Sequence, residues 1–129
     1  MGTQILVLSP DQEAQESIQE IFNQTAVEVI SIDSFKAMAN ALKEKVVPSI
    51  MLFDLTMDFS RCMELIQFLR KKDAYAEMPI MVMTDIPDPT QIKSSMEAGA
   101  NRYISKTFLY NTLLNTTGDL LQIRIRRQT

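Results

Sequence analysis

The sequence predicts an α/β fold of one domain, residues 1–129, in which a doubly wound parallel sheet carries helices on both faces. Three observations lead there. Short apolar runs alternate with longer amphipathic segments five times. Three of the runs are apolar without alternation, the pattern of a parallel strand covered on both sides. The 129 residues, 46% of them hydrophobic, suffice for one core and no more.

Taken in order, the runs Ile5 to Leu8, Val27 to Ile32, Ser49 to Phe53, Pro79 to Thr84 and Arg102 to Ser105 read as strands. The first helix follows Asp11 as N-cap and lines up Ala14, Ile18, Ile21 and Phe22 on one face. In the second, behind Asp33 or Ser34, the inward residues are Phe35, Met38, Ala39 and Leu42. The third is expected from about Ser60 to Lys72, with Met63, Ile66 and Leu69 inward. The fourth, about Thr90 to Ala98, follows Pro87 and Pro89 and stops at Gly99. The fifth is expected to start near Phe108 and run past Leu121, with Gly118 weakening its middle.

Composition excludes several functions. A net charge of -3, with both signs interspersed, gives no footprint for nucleic acid or membrane. The one basic cluster, Arg124, Arg126 and Arg127, reads as a solvated tail suited to a helix carboxyl end. Without histidine the commonest general base and zinc ligand is missing. The single Cys62 excludes an internal disulfide and fits a reducing cytoplasm. No signal-peptide pattern opens the chain and no apolar run reaches the roughly 20 residues of a membrane span. Three glycines cannot supply a Walker loop or a dinucleotide fingerprint.

In doubly wound sheets, chemistry sits beyond the carboxyl ends of the strands. Those ends hold Ser9, Pro10 and Asp11, then Asp54, then Thr84 and Asp85, and finally Lys106. Asp54 closes an apolar run, which sets a carboxylate at the edge of a hydrophobic wall. An aspartate so placed can accept a phosphoryl group as an acyl phosphate. Lys106 is a compact cation suited to neutralising Asp54 or a group on it, and Thr84 offers a hydroxyl to a phosphoryl oxygen. Each also has a plain structural role: a turn former, a salt-bridge partner, a strand terminator.

In order and spacing, the segments "ILVL", "IMLFDLTM", "PIMVMT" and "AGANRYISK" followed by Phe108 resemble the receiver domain of bacterial response regulators over essentially the whole chain. The resemblance implies a flavodoxin-like sheet in the order 2-1-3-4-5. It implies Asp54 as phosphoacceptor, Thr84 as switch hydroxyl, Tyr103 as switch aromatic and Lys106 as the phosphate-pairing lysine. Thr56 falls where that family turns a backbone carbonyl to magnesium. The partners implied are a histidine kinase or phosphotransfer protein, and a downstream target or second copy on the face of the fourth helix, fifth strand and fifth helix. The activity implied is at most slow self-phosphorylation and self-dephosphorylation, not an enzyme's turnover. The chain ends in its fifth helix, which suits either a stand-alone regulator or the first part of a longer one.

The departures from that family fall on the chemistry. Its acidic pair after the first strand is Ser9 and Pro10 here, with Asp11 one residue along and pointing elsewhere. Magnesium is usually held by one or two carboxylates, so its binding is expected to be weak or lost. The metal's electrostatic share of phosphoryl transfer is large, and losing it should cost several kcal/mol of barrier. Asp85 replaces a small residue beside Thr84, where it either repels phosphate or serves as a relocated metal ligand. Thr107 replaces a proline, so a trans bond is expected after Lys106. Asp58 stands where a loop proline belongs, and Arg61-Cys62 replaces an Asp-Gly turn. Three readings compete: a working phosphoacceptor, a degenerate pseudo-receiver that binds partners without phosphorylation, and a small flavodoxin-like ligand binder. The missing glycine-rich loops weigh against the last.

Overall fold

A computed structural model describes residues 2–128; Met1 and Thr129, at the two ends of the expected domain, lie outside the described residues. The strands are β1 (Gln4–Leu8), β2 (Glu28–Ile32), β3 (Ile50–Asp54), β4 (Ile80–Thr84) and β5 (Arg102–Ser105). Helices α1 (Gln12–Phe22), α2 (Phe35–Lys43), α3 (Phe59–Arg70), α4 (Pro89–Ala98) and α5 (Leu109–Leu121) alternate with them. All strand pairs are parallel and the sheet order is β2-β1-β3-β4-β5, as the resemblance implies.

Period-two alternation splits the core. Ile5, Val7, Ile50, Leu52, Met81 and Met83 face α1 and α5, where Ile18, Ile21, Phe22 and Leu113 meet them. Leu6, Leu8, Met51, Phe53, Ile80 and Val82 face the other side, against Met38, Cys62, Ile66 and Leu69. Because β1, β3 and β4 are covered on both faces, they carry unbroken apolar runs; β2, at the edge, is only half-buried and includes polar residues.

Caps set the helix starts. Asp11 accepts from the Ala14 N–H at 3.1 Å and Ser34, rather than Asp33, from Ala37 at 3.1 Å. Asp58, which stands where a loop proline belongs in the family, is the N-cap of α3 and accepts from Arg61 at 3.2 Å. Asp88 accepts from Thr90 and Gln91, with Pro89 in the first turn of α4.

The fifth helix corrects the sequence reading: it stops at Leu121 rather than running past it. Gln122 takes a left-handed conformation (φ 57) and the chain doubles back. Its return is held by the Ile123 N–H on the Gly118 carbonyl at 3.0 Å, and Ile125 joins the α1/α5 core. The basic tail is therefore not simply solvated: Arg127 donates to the Ile21 carbonyl, in the last turn of α1 rather than α5, at 3.2 Å. Gly118 acquires a purpose here. A Cβ on it would lie 2.8 Å from the Ile123 carbonyl oxygen. Gly118→Ala should thus lower stability by about 1 kcal/mol, although alanine favours an isolated helix by a similar amount. A urea titration that found the variant more stable would refute this account of the turn.

Candidate functional site

The carboxyl ends of β1, β3 and β4 and the turn after β5 bring Ser9, Asp54, Thr84 and Lys106 together. Asp54 ends β3 and is fully buried, and Ser9, just past β1, is fully buried beside it. Both Asp54 oxygens are already taken. Oδ1 accepts from the Thr56 N–H at 3.0 Å and the Thr56 hydroxyl at 2.7 Å. Oδ2 accepts from the Ser9 hydroxyl at 2.7 Å and faces the Lys106 ammonium at 2.7 Å. Four donors for one buried carboxylate leave it satisfied by this chain alone.

Ser9 is a two-way link. Its oxygen donates to Asp54 and accepts from the Asp11 N–H at 3.1 Å. The buried Gln15 side chain fixes the backbone behind it, its Nε2 lying 3.1 Å from the Val7 and Ser9 carbonyls and 3.2 Å from that of Ile32. Pro10, exposed, supplies no side-chain donor or acceptor.

Lys106 starts a short 3-10 turn after β5 and reaches across the end of β4 to Asp54. Its ammonium also meets Asp11 Oδ2 at 3.1 Å and Asp85 Oδ1 at 3.3 Å. Burial disfavours the charged lysine, but hydrogen bonds and charge from Asp54, followed by Asp11 and Asp85, outweigh it and raise the Lys106 pKa. Asp11 is lowered, chiefly by the Ala14 N–H it accepts; burial opposes this, and the hydrogen bond and charge of Lys106 help to outweigh it. Asp85 is largely exposed. The Thr84 and Tyr103 hydroxyls lie 2.9 Å apart, which ties the end of β4 to β5. The bond before Thr107 is trans, as expected. Cys62 lies under the site, its Sγ 3.8 Å from the Asp54 main-chain oxygen; burial, then the Asp54 charge, pushes its thiol up to about 12, so it is protonated and inert.

Magnesium, which the resemblance implies, needs near-octahedral oxygen ligands with carboxylates among them. These residues do not fit it. Ser9 supplies a neutral hydroxyl aimed at Asp54, Pro10 supplies nothing, and Asp11 is spent on a helix cap and on Lys106. Asp54, Asp11 and Asp85 converge on an ammonium rather than on a common vacant point. Among the described residues no three acidic, histidine or cysteine side chains are placed to hold a metal ion.

Two features have no counterpart in the sequence reading. The Ser9 hydrogen bond is invisible there because a serine before proline reads as a turn. Arg70, in the last turn of α3, donates to the carbonyls of Tyr75 (2.8 Å), Met78 (2.7 Å) and Gly99 (2.8 and 3.0 Å) and to Asn101 Oδ1 at 2.9 Å. It thereby pins the loops before β4 and β5, the two strands that carry Thr84 and Tyr103. Arginine near a helix end usually signals only a dipole contact.

Comparison with known proteins agrees with the fold. The chain is 24% identical over 122 residues to the C4-dicarboxylate transport transcriptional regulatory protein DctD of Pseudomonas aeruginosa, covering 95% of this chain and 26% of that protein. It is 26% identical over 121 residues to the transcriptional regulatory protein GltR of the same organism, covering 94% and 50%. The chain thus spans at most half the length of these relatives. A signal receiver domain of a histidine kinase from Clostridium thermocellum superposes with a TM-score of 0.84 at 18% identity, covering 95% of this chain and all of that one. The family model for the response regulator receiver domain matches residues 5–117, and the chain belongs to that family.

Proposed function

We propose that this chain is a receiver module of two-component signalling that engages a protein partner without needing a phosphoryl group on Asp54. Receiver domains interact with histidine kinases or phosphotransfer proteins and typically bind Mg2+. One observation carries the departure from that habit: a fully buried Asp54 with both oxygens saturated by Thr56, Ser9 and Lys106. Attack on a phosphodonor needs at least one oxygen freed and the donor's charge neutralised. Here the metal-binding acids are absent, and Asp85 adds a negative group at the mouth. Magnesium binding is accordingly weak or absent in this proposal. Lys106 supplies the counter-charge a metal would otherwise give, and Ser9 holds the carboxylate in place.

The Thr84 to Tyr103 hydroxyl contact supports the same reading. In this proposal those two residues, which the resemblance makes the switch pair, are engaged with no added charge on Asp54. The face of α4, β5 and α5 is then set in one arrangement for its partner. Since the chain spans at most half of its transcriptional relatives, that partner is either an attached output domain or a separate protein.

A second reading, slow phosphorylation of Asp54, is favoured by the retained trio of Asp54, Thr84 and Lys106. The two separate by intact mass after incubation with acetyl phosphate, with and without magnesium. No phosphoryl increment is expected under either condition. An increment lost in Asp54→Asn and accelerated by magnesium would overturn the proposal and establish the phosphoacceptor.

A further inference from the structure

A groove of about 940 Å³ lies between α2 and α3 and runs along both helices, from their first turns to the segments that follow them. Its two walls have the same form. From α2 come Phe35, Met38, Ala39 and Leu42, and from α3 come Arg61, Glu64, Leu65 and Phe68. Each set is an i, i+3, i+4, i+7 stripe, about two turns long and roughly 10 Å. Two stripes running side by side are the seat into which a third helix packs.

The groove is closed at one end and open at the other. At the amino ends of the helices, the Arg61 guanidinium stacks over the Phe35 ring at 4.2 Å and joins the walls. Met38 and Tyr75 form a buried floor, with the Tyr75 hydroxyl tied to the Val46 carbonyl at 2.7 Å. At the open end Phe68 and Val47 stand 47% and 49% exposed and extend the apolar trough to the surface. Lys43, Lys45 and Lys72 surround that end. With Arg61 they make four cations against two acids, Glu64 and Asp73, on a chain whose net charge is -3. The local charge thus opposes that of the whole molecule. A partner complementary to the groove is apolar along one stripe and acidic at one end.

We infer that the α2/α3 groove is a docking site for an amphipathic helix of a partner protein, whose apolar i, i+3, i+4, i+7 residues fill the trough and whose carboxylates meet Lys43, Lys45 and Lys72. Apolar anchors supply the affinity in such helix-in-groove contacts, and the charges set orientation and encounter rate. The groove is separate from the α4, β5 and α5 face, so the module carries two recognition surfaces.

The test uses the 15N-labelled full chain and a fluorescent peptide of about 15 residues, helical by design, with leucines on one stripe and glutamates clustered at one end. A control peptide carries lysines in place of the glutamates. Saturable binding of the acidic peptide is expected, at least about tenfold tighter than the control, weakening as salt rises. Amide shifts should concentrate on α2, α3 and residues 72–75. Phe68→Ser and Lys45→Glu, both exposed positions, should each weaken binding about tenfold with melting temperature unchanged. Equal affinity for both peptides, shifts on α4 and α5 instead, or no shift at millimolar peptide would overturn the inference. So would sedimentation showing a dimer with α2 and α3 in its interface, because the occupant would then be a second copy.

Discussion

Lys106→Met should destabilise the fold by about 3 kcal/mol, the lower end of the usual result of removing one partner from a buried ion pair, since Asp54 is fully buried and the lysine largely so. The loss follows from what remains. Asp54 would keep the Ser9 and Thr56 hydrogen bonds, but its charge would stay buried with no counter-ion within reach. Asp11 and Asp85, no longer drawn together, would add repulsion across the same space. Asp54→Asn in the Lys106→Met background should recover much of the loss, since the buried charge is then gone, and the double-mutant cycle should give a coupling of about 2 kcal/mol or more. Urea unfolding of the four proteins measures this; additive effects would show that Lys106 does not neutralise Asp54 in the folded state. The same contact fixes an alkaline arm. The folded-state pKa of Lys106 is raised, so its contribution is whole below the ordinary lysine value and is lost as pH rises through the folded value. That arm should vanish in Lys106→Met.

Arg70→Met should cost about 3 kcal/mol, because the carbonyls of Tyr75, Met78 and Gly99 lose a charged donor and are half-buried or worse. Arg70→Lys should restore under half of it. A single ammonium cannot reach acceptors spread around the edge of the guanidinium, from its Nε and Nη2 side to its Nη1 side, at 2.7–3.0 Å. Thermal melting of both variants checks the ranking, and equal stability of lysine and arginine would show that charge rather than fork geometry matters. The methionine variant should also broaden the amide signals of Thr84 and Tyr103, whose strands the clamp positions.

How much of this could be read from the sequence depends on the range of the interaction. The strands announce themselves because burial on both faces demands unbroken runs such as Ile5 to Leu8 and Ile80 to Met83. Helix starts were legible from Asp11 and from the Asp33-Ser34 pair, since a cap acts over three residues; Asp58 and Asp88 emerge as caps only in the fold. The end of α5 was not. Its signal is Gln122 in a left-handed conformation, and glutamine carries no mark of that, while Gly118 looks like a weakness until the returning tail is seen to need the space. At the site, Asp54 and Lys106 are recognisable as strand-end charges with a family pattern around them. Ser9 is not, for its function rests on a partner 45 residues away. Arg70 is missed for the same reason, its acceptors at Gly99 and Asn101 lying 29 and 31 residues further on.

The two-way hydrogen bond of Ser9 also constrains how this sequence can change. Ser9→Asp, the obvious first step toward a metal-binding pocket, would set a second carboxylate against Asp54 at hydrogen-bond distance with no proton between them, and Lys106 would be left to neutralise both. The step is unfavourable until a second acid replaces Pro10 and a cation arrives to bridge the group. Ser9→Asp alone therefore lowers stability before it confers metal binding, so whether an acid is tolerated at this position depends on the charges already gathered around Asp54.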